Sequence, residues 1–171
     1  MERGRAIVLI GFMGAGKSTI GKMLAARLGL PLHDTDALVE MACGESIAEI
    51  FQRDGEGIFR KRETAALREI PCEECVIVTG GGIVLREANV ARLQELGRIV
   101  WLDVEEKLVL ERVGYDRSRP LLRGDNPLEK IRELMESRRP RYEAASDFCV
   151  ATSRATPAET VAQILELLHE H

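Results

Sequence analysis

Residues 11–18 read Gly-Phe-Met-Gly-Ala-Gly-Lys-Ser, a full match to the GxxxxGK[ST] phosphate-binding loop. The residue types follow from the task. Glycines let the backbone curl until successive N–H groups converge on an anion. A helix opening at the end of the loop adds the positive end of its dipole. The lysine reaches the β- and γ-phosphates, and the hydroxyl after it can ligate Mg²⁺. Gly14, Ala15, Gly16, Lys17, Ser18 and Thr19 are therefore the candidate nucleotide-binding residues, with Lys17 also a catalytic candidate and Ser18 a metal ligand. A glycine-rich turn with a chance lysine is the competing reading. It loses on context, because an apolar run precedes the loop and a helical pattern follows it. The guanine-selective Asn/Thr-Lys-x-Asp signature is absent, which argues against a GTPase. The loop leaves the phosphoryl acceptor unnamed.

Asp34-Thr35-Asp36 follows a short apolar run, at the strand end that faces the ligand crevice in an open α/β sheet. One carboxylate can join a Mg²⁺ shell while the other orients or deprotonates an acceptor hydroxyl. A turn or helix cap of Asp and Thr fits the same residues equally well. Arg60 and Glu63 share a helix face at i, i+3, and an arginine fork suits a carboxylate or phosphate. Gly80-Gly81-Gly82 follows a strand-like run, where glycines allow close backbone approach to a ligand. Residues 114–124 are glycine-bounded and hold three arginines, as expected of a lid that brings a cation onto the transferring phosphate and excludes water.

The elements that must position these groups alternate along the chain. Apolar runs at 6–10, 30–33, 76–79, 98–102 and 148–151 are strands, separated by helical patterns. The expected class is α/β: a five-stranded parallel sheet flanked by helices on both faces. Ser46 with Glu49 is a capping box, and the helix it opens stops near Gly55 before a second runs over 59–70. Asp103 with Glu106, Asn126-Pro127 with Glu129, and Thr156-Pro157 with Glu159 mark three more helix starts.

The 171 residues, without repeat or linker, fit a single domain, and the 4% aromatic content makes the core aliphatic. A net charge of -4 argues against generic nucleic-acid binding, although the arginines cluster locally as a bound anion would require. No apolar run reaches the ~18 residues of a membrane span, and the N-terminus does not read as a signal peptide. Cytoplasmic localisation, no membrane partner and a monomer are expected. Cys72 and Cys75 form a lone CxxC with no second pair at zinc spacing, so the four cysteines read as ordinary reduced thiols.

Taken in order, Asp34-Thr-Asp36, Ser46-Ile-Ala-Glu-Ile-Phe51 continuing to Phe59-Arg60-x-x-Glu63, Gly80-Gly-Gly82, Arg119-Pro-Leu-Leu122 and Arg138-x-Pro-x-Tyr142, in register with the phosphate loop, resemble the shikimate kinase family of nucleoside-monophosphate-kinase-like P-loop kinases. The resemblance implies one P-loop kinase domain over 1–171, with a substrate-binding segment at about 35–63 and a lid at about 113–125. It implies transfer of the ATP γ-phosphoryl group to the 3-hydroxyl of shikimate, with ATP and Mg²⁺ required, on the route to chorismate and the aromatic amino acids. By motif position, Asp36 holds the ring hydroxyls and acts as base, and Asp34 joins Ser18 in the Mg²⁺ shell. Arg60 and Arg138 grip the substrate carboxylate, with backbone contacts from Gly81 and Gly82. Arg119 stabilises the transferring phosphate and Arg112 stacks on adenine. Arg154 lies one position from the family's adenine-side arginine and is left out of the site. A gluconate-type kinase and a silent nucleotide- or shikimate-binding module are the competing functions. The intact set Lys17, Ser18, Asp34, Asp36 and Arg119 argues against the silent module.

Overall fold

The computed structural model describes residues 5–113 and 126–170. β1 (Ala6–Ile10) is buried along its whole length, because a parallel sheet covered on both faces has no solvent side. The phosphate loop follows it directly and opens α1 (Lys17–Leu28), which ends where Gly29 turns left-handed at φ 66°. After β2 (Leu32–Asp34) come α2 (Thr35–Cys43) and α3 (Ile47–Arg68). β3 (Val76–Val78) leads through the glycine run into a 3₁₀ turn, Ile83–Leu85, and α4 (Glu87–Leu96). β4 (Gly97–Asp103), α5 (Glu106–Val113), α6 (Pro127–Ala145), β5 (Phe148–Ala151) and α7 (Pro157–Glu170) complete the described chain.

The five strands are all parallel, in the order β2-β3-β1-β4-β5. The chain passes from β3 to β4 across β1, so the winding of the sheet reverses beside β1. That reversal opens the crevice at the strands' carboxyl ends into which the phosphate loop, Asp34 and the glycine run all project. The main core gathers on the sheet around Leu9, Ile77, Ile99 and Leu102. A second, smaller cluster of Val39, Ile50 and Phe59 ties α2 to α3.

Three sequence expectations change in detail. Asp34 is the N-cap of α2, a helix that periodicity did not reveal; its Oδ1 accepts from the Asp36 and Ala37 amides at 2.9 and 3.3 Å. The two helices expected on either side of Gly55 form one element, α3, kinked at that residue with φ 77° and ψ 174°. Asp103 ends β4, and both its oxygens accept from Arg139 at 2.8 and 3.2 Å. The capping boxes at Ser46 and Thr156 form as their spacing requires, as does the Asn126 cap.

Candidate active site

The phosphate loop is shaped by glycines with positive φ, 78° at Gly14 and 90° at Gly16, values that L side chains adopt only with strain. Lys17 is buried, and its Nζ donates to the carbonyls of Gly11 and Phe12 at 2.7 and 2.9 Å, which holds the ammonium across the loop. Ser18 and Thr19 are exposed in the first turn of α1, whose amide N–H groups have no partner within the helix. A cavity of about 200 Å³ lies over this turn, walled by Lys17, Ser18 and Thr19 on one side and Asp34, Asp36 and Gly81 on the other. It adjoins a second cavity, of about 310 Å³, formed where the β5–α7 connection meets the loop. Ala15, Arg112, Thr152, Ala155 and Pro157 line that space, and Arg112 Nη1 donates to the Gly14 carbonyl at 2.7 Å. Arg154 is exposed and absent from its wall.

On the other side of the phosphate cavity lies the acceptor cavity, which shares Met13, Asp36, Gly80 and Gly81 with it. α3 brings Arg60 and Glu63, and α6 brings Arg138. All three are buried, Glu63 completely. Arg60 Nη1 donates to Glu63 Oε2 at 3.0 Å, and its Nη2 meets Glu56 at 3.3 Å. Arg138 sits 5.8 Å from the Phe12 ring centroid and, among the described residues, has no carboxylate within ion-pair distance. Burial pushes the Glu63 carboxyl above its ordinary value, against the opposing pull of the Arg60 charge and hydrogen bond. Glu63 Oε1 has no hydrogen-bond partner among the described residues and faces Gly80. The glycines are a steric requirement: a Cβ at Gly80 would lie 2.6 Å from Asp36 Oδ1 and 2.9 Å from Glu63 Oε1.

The structure thus gathers Gly14, Ala15, Gly16, Lys17, Ser18, Thr19 and Arg112 around the two nucleotide-side cavities. It gathers Asp36, Arg60, Gly81, Gly82 and Arg138 around the acceptor cavity. Asp34 caps α2, as the helix-cap reading of Asp34-Thr35-Asp36 has it, and it also lies on the wall of the phosphate cavity beside Asp36. Of the lid expected at about 113–125, Val113 ends α5, and the rest, Arg119 included, lies outside the described residues. A hydroxyl from Ser18 and a carboxylate from Asp34 on one cavity form the sparse, hard-oxygen donor set that Mg²⁺ accepts when phosphates and water complete its shell.

Residue types alone did not nominate Phe51 and Phe59 on the acceptor wall, or Thr152, Ala155 and Pro157 on the nucleotide wall. The first pair belongs to quoted motifs and was recoverable from them. The others carry no chemical signature.

A parallel sheet in this strand order, with a phosphate loop after its first strand and an acceptor cavity opening onto the same phosphates, defines a P-loop small-molecule kinase. The comparisons give the particular family. The shikimate kinase family profile matches residues 13–169, and the chain belongs to that family. It is 45% identical over 161 residues to shikimate kinase of Thermodesulfovibrio yellowstonii, covering 94% of this chain and 92% of that protein. Shikimate kinase from Acinetobacter baumannii, solved in complex with shikimate, superposes with a TM-score of 0.93 at 36% identity, covering 97% of this chain and 93% of that one. A gluconokinase from Sinorhizobium meliloti, at 21% identity and a TM-score of 0.54 over 99% of this chain and 98% of its own, shares the fold alone. The chain is an ATP-dependent kinase with an alcohol acceptor.

Proposed function

We propose that this chain transfers the γ-phosphoryl group of ATP to the 3-hydroxyl of shikimate, giving shikimate 3-phosphate and ADP, through the residues assembled above. One observation carries the residue assignment: the acceptor and phosphate cavities have Asp36 and Gly81 as a common wall. An acceptor held by its carboxylate at the arginine end therefore presents its hydroxyls to Asp36 at the mouth of the phosphate cavity. The relative solved with shikimate bound supports the same choice of acceptor.

Arg60 and Arg138 grip the carboxylate, assisted by the Gly81 and Gly82 N–H groups. Asp36 orients the hydroxyl and takes its proton as the new O–P bond forms and the bridging bond to ADP breaks. Lys17 leaves the loop carbonyls to follow the β- and γ-phosphates, and Arg112 packs on adenine. Arg119 places its charge on the transferring group, and the segment around 113–125 covers the site against water. Ser18 and Asp34 are the residues that would hold Mg²⁺, which would supply Lewis-acid neutralisation of the phosphate charge there. Residues 35–63, carrying Asp36 and Arg60 at either end, serve as the substrate-binding segment of one kinase domain. The chain acts as a monomer in the cytoplasm, where ATP is supplied.

The test is ADP formation by the purified chain with ATP and Mg²⁺ against shikimate, gluconate and nucleoside monophosphates. Turnover is expected with shikimate. Turnover with another acceptor and none with shikimate would overturn the proposal, as would shikimate binding without ADP release.

A further inference from the structure

The glycine run after β3 is held almost completely through its backbone. Gly80 N–H donates to Thr35 Oγ1 at 3.1 Å, and the Gly80 carbonyl accepts from Ile83 N at 3.2 Å. The Gly82 carbonyl accepts from Leu85 N at 3.1 Å, and the Ile83 carbonyl from Asn89 Nδ2 at 3.1 Å. The Gly81 carbonyl is taken by a side chain from a distant element: Tyr142 Oη, on α6, donates to it at 2.5 Å. Among the described residues, the N–H groups of Gly81 and Gly82 alone in this run lack a partner, on the wall of the acceptor cavity.

We propose that Tyr142 is a positioning residue for the acceptor: by fixing the Gly81 carbonyl it aims the Gly82 N–H into the cavity, on the wall shared with the Arg60 and Arg138 guanidinium groups, as a seat for the acceptor's carboxylate. The link is the peptide plane. The Gly81 carbonyl and the Gly82 N–H belong to one trans peptide unit and point in opposite directions, so holding the oxygen from behind sets the direction of the hydrogen in front. Three consecutive glycines would otherwise leave that plane free to rotate.

The strut is rigid. Tyr142 is 2% exposed, and its ring stacks on Trp101 of β4, with centroids 6.1 Å apart and planes 23° from parallel. Burial pushes its phenol up to about 12, which keeps it protonated and able to donate at any working pH. Arg138 and Tyr142 stand at i, i+4 on the buried face of α6, so one helix delivers both the cation and the support for the amide beside it. Arg138 Nη1 lies only 3.6 Å from where a Gly81 Cβ would stand.

The proposal rests on the reading that Arg138 and the glycine amides meet the carboxylate of shikimate, and the experiment separates the two. Tyr142→Phe keeps the ring and removes only the hydroxyl. Steady-state kinetics are measured on the full chain with shikimate and with its analogue bearing CH₂OH in place of the carboxylate. Emission from Trp101, the single tryptophan, reports that the stacked ring is retained. The expected result is a rise of about five- to fifty-fold in KM for shikimate, the range for leaving a buried acceptor unpaired. KM for ATP stays within two-fold, and the alcohol analogue shows a much smaller effect of the substitution. An unchanged KM for shikimate, equal rises for the two acceptors, or a rise in KM for ATP overturns the positioning role. An unsubstituted enzyme that uses the alcohol as well as shikimate shows instead that the carboxylate reading itself has failed.

Discussion

The Arg60 guanidinium occupies the space that any side chain at Gly82 would need, so a Cβ there would overlap it outright. The backbone of Gly82, at φ -97° and ψ 7°, is open to alanine, so a substitution is penalised by this contact and not by strain. Gly82→Ala is expected to push Arg60 out of its pairing with Glu63 and raise KM for shikimate by about ten-fold or more, since small displacements of a binding group are costly. KM for ATP should stay within about two-fold, because the nucleotide wall is untouched. Gly81→Ala, whose Cβ would meet nothing closer than 3.4 Å, is the milder control. Equal effects of the two substitutions would remove the Arg60 contact as the cause.

Asp36 stands where the acceptor and phosphate cavities join, which makes its carboxylate the group best placed to act on the reacting hydroxyl. Asp36→Asn keeps the size and loses the charge and the proton-accepting oxygen. It is expected to lower kcat by about 10²- to 10⁴-fold while leaving ATP binding nearly intact. Rapid-quench measurement of the phosphoryl-transfer step checks this directly. A transfer rate within a few-fold of the parent would confine Asp36 to positioning, which a loose transition state tolerates.

The parts of this site that were legible in the sequence are those whose chemistry is local. The Gly11–Ser18 pattern declares its ligand, and Ser46 with Glu49 or Thr156 with Glu159 declares a helix start, because each forms between residues three or four apart. α2 was hidden because its only strong signal, Asp34, reads equally as a catalytic carboxylate, and the structure uses it as a cap. The nucleotide wall at Thr152, Ala155 and Pro157 depends on β5 lying next to β4, an adjacency that hydrophobic periodicity does not encode. The burial of Glu63 and the reach of Tyr142 to Gly81 are likewise products of tertiary packing across 17 and 61 residues of chain.

Glu63 supplies a pH signature. Burial holds its folded carboxyl above the ordinary 4.5, so the folded chain binds this proton more tightly than the unfolded chain. The sign follows: the stability contributed by Glu63 is fully present below about 4.5 and is lost as pH rises through the higher folded value. Glu63→Gln carries no such proton. The stability of the parent relative to Glu63→Gln should therefore decline as pH rises from 4.5 toward neutrality, read from urea midpoints at matched pH. A pH-independent difference would show that Glu63 titrates alike folded and unfolded.

Gly55 sets the angle between the two halves of α3. Its φ of 77° with ψ of 174° lies in a region that only glycine occupies without strain, and it separates the first turns of α3 from the half that carries Arg60 and Glu63. Asp54, just before the kink, accepts from Arg53 at 2.8 Å and from Arg62 beyond it at 3.0 Å, which braces the bend across both halves. Gly55→Ala should cost about 1–3 kcal/mol of stability. It should also raise KM for shikimate, because straightening α3 re-aims Arg60. Gly57→Ala is the counter-test within the same helix: no left-handed φ is required there, and its Cβ would meet nothing within 4 Å. That substitution should be neutral or stabilise by up to about 1 kcal/mol, since alanine loses less chain entropy in a helix. Thermal melts and shikimate kinetics on the pair decide the matter. If Gly55→Ala matched Gly57→Ala in both, the kink would have no part in presenting Arg60 to the acceptor.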